Sequence, residues 1–133
     1  YVHGGRIGVL TEVLCETDFV AKNEDFKAFA HEISLQIAAS APKYISKDEI
    51  PSEELEKEKE IYTAESNASG KPENIIEKIV AGKIETYYKE ICLLDQPYFR
   101  DPKITVGDML NETIAKTGEK IVISRFARLE LSC

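Results

Sequence analysis

The sequence contains no apolar run long enough to span a membrane, and we recognise no charged stretch followed by an apolar leader. It also lacks a Cys-x-x-Cys pair, because its three cysteines, Cys15, Cys92 and Cys133, are scattered. That spacing predicts neither a zinc site nor a disulfide framework. We expect Cys15 and Cys92 to be buried, reduced thiols in a reducing compartment, whereas an intermolecular bridge through Cys133 stays open.

Basic residues are scarce relative to acidic ones. Lys and Arg number 17 against 24 Asp and Glu, which gives a net charge of −7 and a pI of about 4.9. Because such a surface repels phosphates, we expect no direct binding to nucleic acid. A length of 133 residues with 43% hydrophobic side chains predicts a single folded domain over residues 1–133, with one core.

The residues that usually carry catalysis are few. There are two histidines, and Gly4-Gly5 precedes a strand instead of linking a strand to a helix, as a phosphate-binding loop would. A thiol enzyme would have to start from Cys15 with His31. That pair lacks an evident orienting group, and Cys15 falls on the buried side of a strand. We therefore predict no enzyme, no metal site and no cofactor, and keep the thiol enzyme as a third hypothesis.

Two long strands are predicted near the ends of the chain. From Arg6 to Glu16 the side chains alternate with a period of two, which is typical of a strand with one buried face. The face expected to be buried carries Ile7, Val9, Thr11, Val13 and Cys15, and the mixed face carries Gly8, Leu10, Glu12, Leu14 and Glu16. The second strand is predicted over Lys120–Leu131, with Arg125 interrupting one apolar face made of Ile121, Ile123, Ala127, Leu129 and Leu131.

Helices are predicted between these strands. The first has an apolar stripe at helical spacing, made of Phe26, Phe29, Ala30, Ile33 and Ile37. It should end at Ala41-Pro42, since proline lacks an amide donor. A charge-rich surface helix is predicted from Glu53 to about Ala68, with Ser52 as its N-cap.

Two further helices complete the prediction. One has Pro72 in its first turn and runs toward Tyr87-Tyr88. The other starts with a capping box of Thr105 and Asp108 and ends at Gly118. Two terminal strands with helices between them predict an α+β fold, a small antiparallel β-sheet covered by α-helices.

The connection from the first strand to the first helix, Cys15-Glu16-Thr17-Asp18-Phe19-Val20, is the most informative stretch. It sets a large apolar side chain, Phe19, beside a carboxylate, Asp18. Phe19 is either a core residue near a strand end or a wedge presented to a partner. From the residues alone the core interpretation is favoured, because most apolar residues near strand ends are buried.

The chain resembles the core domain of the translation elongation factor Ts family. The run Tyr1–Leu10 and the loop Cys15–Val20 carry the resemblance first. Four further segments follow in the family's order: Ile37–Ala39, Glu77–Lys83, Leu94–Tyr98 and Ile123–Arg128. Ordered blocks over essentially the whole chain make a stronger match than the six-residue loop would alone.

The resemblance implies a guanine-nucleotide exchange factor for elongation factor Tu, which it would bind in GDP-bound and nucleotide-free forms. Thr17, Asp18, Phe19 and Val20 would form the loop that reaches the partner's nucleotide domain near its Mg²⁺. The resemblance also implies that a ubiquitin-associated-type N-terminal domain is absent from this chain. It further implies a short form, without a second core subdomain or a full-length inserted helical hairpin, that pairs through its sheet as a homodimer.

A second hypothesis keeps the resemblance without the activity. The chain would then be a dimerisation or scaffold module that binds the factor without promoting exchange. Under either hypothesis we expect a cytoplasmic protein, or one of a plastid or mitochondrial matrix if the source is an organelle of bacterial descent.

Overall fold

The structure is a computed structural model that describes residues 1–132, so the expectation for Cys133 lies outside the described part. Its main sheet is antiparallel and has three strands, β1 (Val2–His3), β2 (Ile7–Leu14) and β5 (Val122–Glu130), in the order β1-β2-β5. A two-stranded antiparallel ribbon is formed by β3 (Pro97–Tyr98) and β4 (Asp101–Thr105). Within residues 1–132 there are five α-helices: α1 (Asp18–Ala21), α2 (Glu24–Ser40), α3 (Ser52–Asn67), α4 (Glu73–Ile91) and α5 (Val106–Thr117). The predicted α+β class is confirmed.

The inner face of β2 packs on α2, as the alternating sequence predicts. Val9 is buried there, while Leu10 on the opposite face is 77% exposed. The strand is shorter than predicted, since pairing with β5 covers Ile7–Leu14 and not Arg6–Glu16. The predicted apolar stripe of α2 faces the same core, and its most buried members are Phe26, Phe29, Ile33 and Ile37. Helix α2 ends where Ala41 takes a left-handed conformation just before Pro42.

The predicted face of β5 is wrong beyond Ile123. Val13 pairs with Ile123 but Glu12 pairs with Arg125, so Ser124 is an extra residue on β5 and forms a β-bulge. An extra residue reverses the alternation, because successive side chains point to opposite faces. Ile121 and Ile123 therefore face the core, whereas Ala127 and Leu129 face outward. On the inner face their places are taken by Phe126 and Arg128.

On the inner face, Arg128 lies beside the C-terminal end of α2. Its guanidinium donates from Nε to the Ile37 carbonyl and from Nη2 to the Ala38 carbonyl, both at 3.1 Å. The Ile37 carbonyl also accepts the N–H of Ala41, whereas Pro42, four residues after Ala38, has no N–H to donate. Both carbonyls lie at the C-terminal end of the helix, which carries partial negative charge. The arginine therefore fastens the C-terminal end of α2 to the sheet.

Buried polar groups connect α2 to the segment that leads into β3. Gln36 is 1% exposed, and its amide nitrogen lies 3.1 to 3.2 Å from Ser40 Oγ, Gln96 Oε1 and Pro97 O. Its amide oxygen accepts a 2.9 Å hydrogen bond from the backbone N–H of Phe99. Because each of these buried groups has a partner, the network costs little to bury and fixes the two segments against each other.

Helices α3 and α4 form an antiparallel hairpin. Ser52 is the first helical residue, and Pro51 occupies the N-cap position without a side-chain hydrogen bond, so the predicted serine cap is wrong. Pro72 likewise stands at the N-cap of α4 and not within its first turn. Gly82 lies within the continuous helix α4. As predicted, α3 is a surface helix, with most of its charged side chains exposed.

One carboxylate ties this hairpin to the connection that precedes it. Glu54 accepts hydrogen bonds from Lys43 Nζ at 2.7 Å, from the Tyr44 hydroxyl, and from Tyr87 Oη at 2.9 Å. These donors, the lysine first, lower the pKa of Glu54 to about 2 from an ordinary 4.5. Glu54 therefore stays ionised well into the acid range.

The acid unfolding of the protein should reflect this contact. A carboxyl group whose pKa is depressed in the folded state stabilises that state above its unfolded pKa. The contribution is lost as the pH falls through the folded pKa, here between 4.5 and about 2. We expect Glu54→Gln to be less stable than the parent near neutrality and to lose less further stability over that interval. Thermal unfolding followed by circular dichroism from about pH 7 to about pH 2 measures both differences.

The matched control is Glu60→Gln, on an exposed side chain of the same helix. It should follow the parent protein at each pH. Equal acid sensitivity in the Glu54 and Glu60 variants would contradict the assignment of this acid-dependent stability to Glu54.

Candidate functional site

The loop after β2 ends in a single helical turn. Thr17 is its N-cap, and the threonine hydroxyl accepts a 3.3 Å hydrogen bond from the N–H of Val20. Lys22 N–H bonds to the Asp18 carbonyl, which closes the turn, and α2 starts after the next residue, Asn23. The four residues predicted to form the site, Thr17 to Val20, are thus the cap and first three residues of α1.

The turn separates its two apolar side chains. Val20 is 5% exposed and belongs to the core, whereas Phe19 is 84% exposed. Successive residues of a helix are rotated by about 100°, so when Val20 faces the core its neighbour is turned away from it. Asp18 is exposed beside the ring. The interpretation of Phe19 as a core residue, favoured by the residues alone, is therefore wrong.

No pattern in the sequence indicated Glu119 as part of this site, yet its carboxylate contacts the loop directly. Oε1 accepts hydrogen bonds from the backbone N–H of Glu16 at 3.1 Å and of Thr17 at 3.0 Å. Oε2 accepts from the Thr17 hydroxyl at 2.6 Å. The contact joins residues more than a hundred positions apart, and its only sequence signal is Gly118, which ends α5 just before it.

Cys15 and His31, the pair considered for a thiol enzyme, each contact a neighbouring group of the same domain. Cys15 Sγ is 3.2 Å from the Thr17 carbonyl, and the ring of His31 meets the Tyr1 ring edge-on at 6.0 Å between centroids. Cys15 is partly buried and not fully so. Cys92 is fully buried, and burial raises its thiol pKa to about 11, so it remains protonated near neutral pH.

A second surface feature lies on the far side of the sheet from α2. We define the outer sheet face as Leu10, Leu14, Val122, Ala127 and Leu129, all of them exposed. Leu10 and Leu129 are each 77% exposed, although they are large apolar residues within the paired parts of β2 and β5. The Glu12–Arg125 ion pair, at 3.1 Å, lies on the same face. An apolar face of this kind on a regular sheet is typical of an interaction surface.

Within residues 1–132, no helix is both long and apolar enough to cross a membrane. In the same described range, no group of three or more histidine, cysteine, aspartate or glutamate residues is placed to hold a metal ion.

Comparison with known proteins identifies the family. Residues 1–113 match the family described as Elongation factor TS. The chain is 63% identical to "Elongation factor Ts" of Caldanaerobacter subterraneus subsp. tengcongensis, over 98% of this chain and 66% of the relative. It is 60% identical to that of Thermoanaerobacter pseudethanolicus, over 98% and 64%, and 54% identical to that of Carboxydothermus hydrogenoformans, over 98% and 61%. The chain therefore belongs to the elongation factor Ts family and spans 61% to 66% of the length of these curated relatives.

Proposed function

We propose that this chain is the core of a guanine-nucleotide exchange factor that binds elongation factor Tu and promotes release of GDP. Membership of the elongation factor Ts family supports the partner and the reaction. The observation that carries the proposal is the 84% exposure of Phe19 on a turn whose other apolar residue, Val20, is anchored in the core. A large exposed ring on a turn whose backbone is anchored in the core is suited to entering another protein.

In the proposed mechanism Phe19 and Asp18 enter the nucleotide domain of the partner beside its Mg²⁺. Bound GDP is held by phosphate contacts and by this ion, whose coordination requires nearly ideal octahedral geometry. Displacing the elements that carry the ligands therefore weakens both ion and nucleotide. No bond is made or broken, so the protein catalyses exchange without covalent chemistry.

The free energy of burying one side chain limits how much Phe19 can contribute to nucleotide exchange. Burying a phenylalanine contributes about 1.5–3 kcal/mol, and about 1.4 kcal/mol corresponds to tenfold in affinity. The remainder of a large exchange effect must come from a wider contact surface that prefers the nucleotide-free partner. Coupling is reciprocal, so GDP or GTP rebinding weakens the complex by the same factor and releases the exchange factor.

Release of a fluorescent GDP analogue from elongation factor Tu, followed by stopped flow with and without this chain, tests the proposal. We expect release to accelerate as the concentration of the chain rises and then to saturate. Stoichiometric binding without faster release would contradict an exchange role and favour the second hypothesis, a scaffold module.

We also propose that two copies pair as a homodimer through the outer sheet face. A symmetric dimer uses the same patch on both subunits, and this face offers large apolar side chains on both of its long strands. We expect Leu129→Glu to shift the protein to the monomer, because each copy would bring an unpaired carboxylate into the interface. Sedimentation equilibrium measures the dissociation constant, which should rise at least about tenfold.

The matched control for the dimer is Ile61→Glu, a 50% exposed apolar residue on α3, outside the sheet. It should leave the dissociation constant unchanged. A protein that sediments as a monomer before any substitution, or a Leu129 variant that dimerises as tightly as its parent, would rule out pairing through this face.

A further inference from the structure

We propose that Glu119 is a positioning residue for nucleotide exchange, a clamp that fixes the loop carrying Phe19. This inference rests on the proposed function of that loop. Glu119 has no role predicted from its own place in the sequence, and it belongs to the connection between α5 and β5. Its carboxylate is nevertheless the group that joins this connection to residues 16 and 17.

The clamp engages the loop at the start of its helical turn. Both carboxylate oxygens are used: one binds the two backbone N–H groups of Glu16 and Thr17, and the other binds the Thr17 hydroxyl. Hydrogen bonds to an ionised acceptor are stronger than those between neutral groups. The same Thr17 hydroxyl caps α1 by accepting from Val20 N–H. Glu119 thus orients the capping oxygen that defines the turn on which Phe19 stands.

Glu119 is itself held on both sides. Gly118 ends α5 in a left-handed conformation, with φ of +70° and its N–H bonded to the Ile114 carbonyl. Two residues after Glu119, Ile121 is 2% exposed and packed in the core. The backbone of Glu119 is therefore fixed by a helix end on one side and by the core on the other. Its carboxylate contacts the loop from this fixed backbone.

The loop is thus fixed at two places, by Glu119 before the turn and by the buried Val20 within it. Phe19 lies next to these anchors, so they hold the backbone from which its exposed ring projects. A turn whose backbone is already ordered before binding avoids the entropy cost of ordering that backbone on the partner. Without Glu119 the core anchor at Val20 would remain, but the start of the turn would lose its three hydrogen bonds.

Hydrogen exchange tests the clamp independently of exchange activity. In Glu119→Ala, we expect the amide protons of Glu16 and Thr17 to exchange with solvent about tenfold faster, as measured by NMR. Amides in the β2–β5 ladder should keep the protection they have in the parent protein. Unchanged exchange at Glu16 and Thr17 would overturn the clamp. Loss of protection throughout the sheet would show a general structural role and would also overturn it.

Stopped-flow release of fluorescent GDP from elongation factor Tu tests the effect on function, using saturating amounts of the full chain. We expect Glu119→Ala to lower the maximal acceleration about tenfold, and Glu119→Gln, which keeps an oxygen acceptor for the backbone N–H groups, to recover part of it. In a Phe19→Ala background the Glu119→Ala change should have no further effect, since two residues acting through one contact are not additive. Additive effects would contradict positioning of Phe19.

The outcomes separate this inference from the proposed function. If Phe19→Ala slows release and Glu119→Ala does not, the clamp is wrong and the wedge stands. If Phe19→Ala has no effect, the wedge itself is wrong and the clamp loses its role in exchange. Glu112→Ala, on an exposed ion pair of α5 with Lys116, is the control and should resemble the parent protein. Should Glu119→Ala not fold, Glu119→Gln keeps the side chain's size and leaves the Thr17 cap in place but removes the charge and one acceptor oxygen, and it must slow release for the proposal to hold.

Discussion

Replacing Phe19 by alanine is expected to lower the acceleration of GDP release about tenfold to a hundredfold. The estimate follows from the loss of about 1.5–3 kcal/mol of apolar burial in the complex. Stability should be unaffected within about 0.5 kcal/mol, as for most surface substitutions, because the ring is 84% exposed in the free protein. Stopped-flow release of fluorescent GDP and urea unfolding measure the two quantities separately.

Phe99 offers a matched control, since it is also a partly exposed phenylalanine, 40% accessible, but lies in the turn between β3 and β4. Phe99→Ala should leave the rate of GDP release unchanged. A Phe19 variant that binds elongation factor Tu normally and releases GDP as fast as the parent would refute the wedge. Family membership would then remain without this mechanism.

The largest expected loss of stability comes from Gln36→Ala. The substitution empties buried space and removes the partner of the Phe99 N–H, while the Pro97 carbonyl also loses a donor. Cavity formation together with orphaned polar groups costs about 2–5 kcal/mol, a large share of the roughly 5–15 kcal/mol that stabilises a domain. Urea unfolding should show a lower midpoint at an unchanged slope.

A second substitution separates packing from hydrogen bonding. Gln36→Leu refills the space but still leaves the polar groups without their partner, so we expect it to remain clearly less stable than the parent. Asn111→Ala, at an exposed amide on α5, should change stability by no more than about 0.5 kcal/mol. A leucine variant as stable as the parent would show that the network contributes nothing net.

Much of the fold could be predicted from the sequence because its signals are local. The spacing of Phe26, Phe29, Ile33 and Ile37 predicts a helix and its buried side, since both depend on a period of 3.6. The capping box of Thr105 and Asp108, and the left-handed Gly118, are also short-range patterns, and the structure has both. The serine cap at Ser52 failed because Pro51 takes the cap position instead.

The site was predicted only in part. The residues of the loop could be named, but residue type alone favoured a buried Phe19. Exposure is decided by the turn on which Phe19 stands, which rotates it away from the core while Val20 enters it. The bulge at Ser124 had the same effect on β5, because no local pattern announced that one extra residue would turn Ala127 and Leu129 outward.

By itself, then, the sequence determined the class of fold, the order of its helices and long strands, and the family, because each depends on residue types and on spacings of a few positions. Only the tertiary structure decided that Phe19 points into solvent, that β5 presents leucine on the outer sheet face, and that Glu119 holds the loop. These depend on contacts between segments far apart in sequence, such as Thr17 with Glu119, which are more than a hundred residues apart. No periodicity along the chain encodes such a contact; it exists once the core has brought α5 and the end of β2 together.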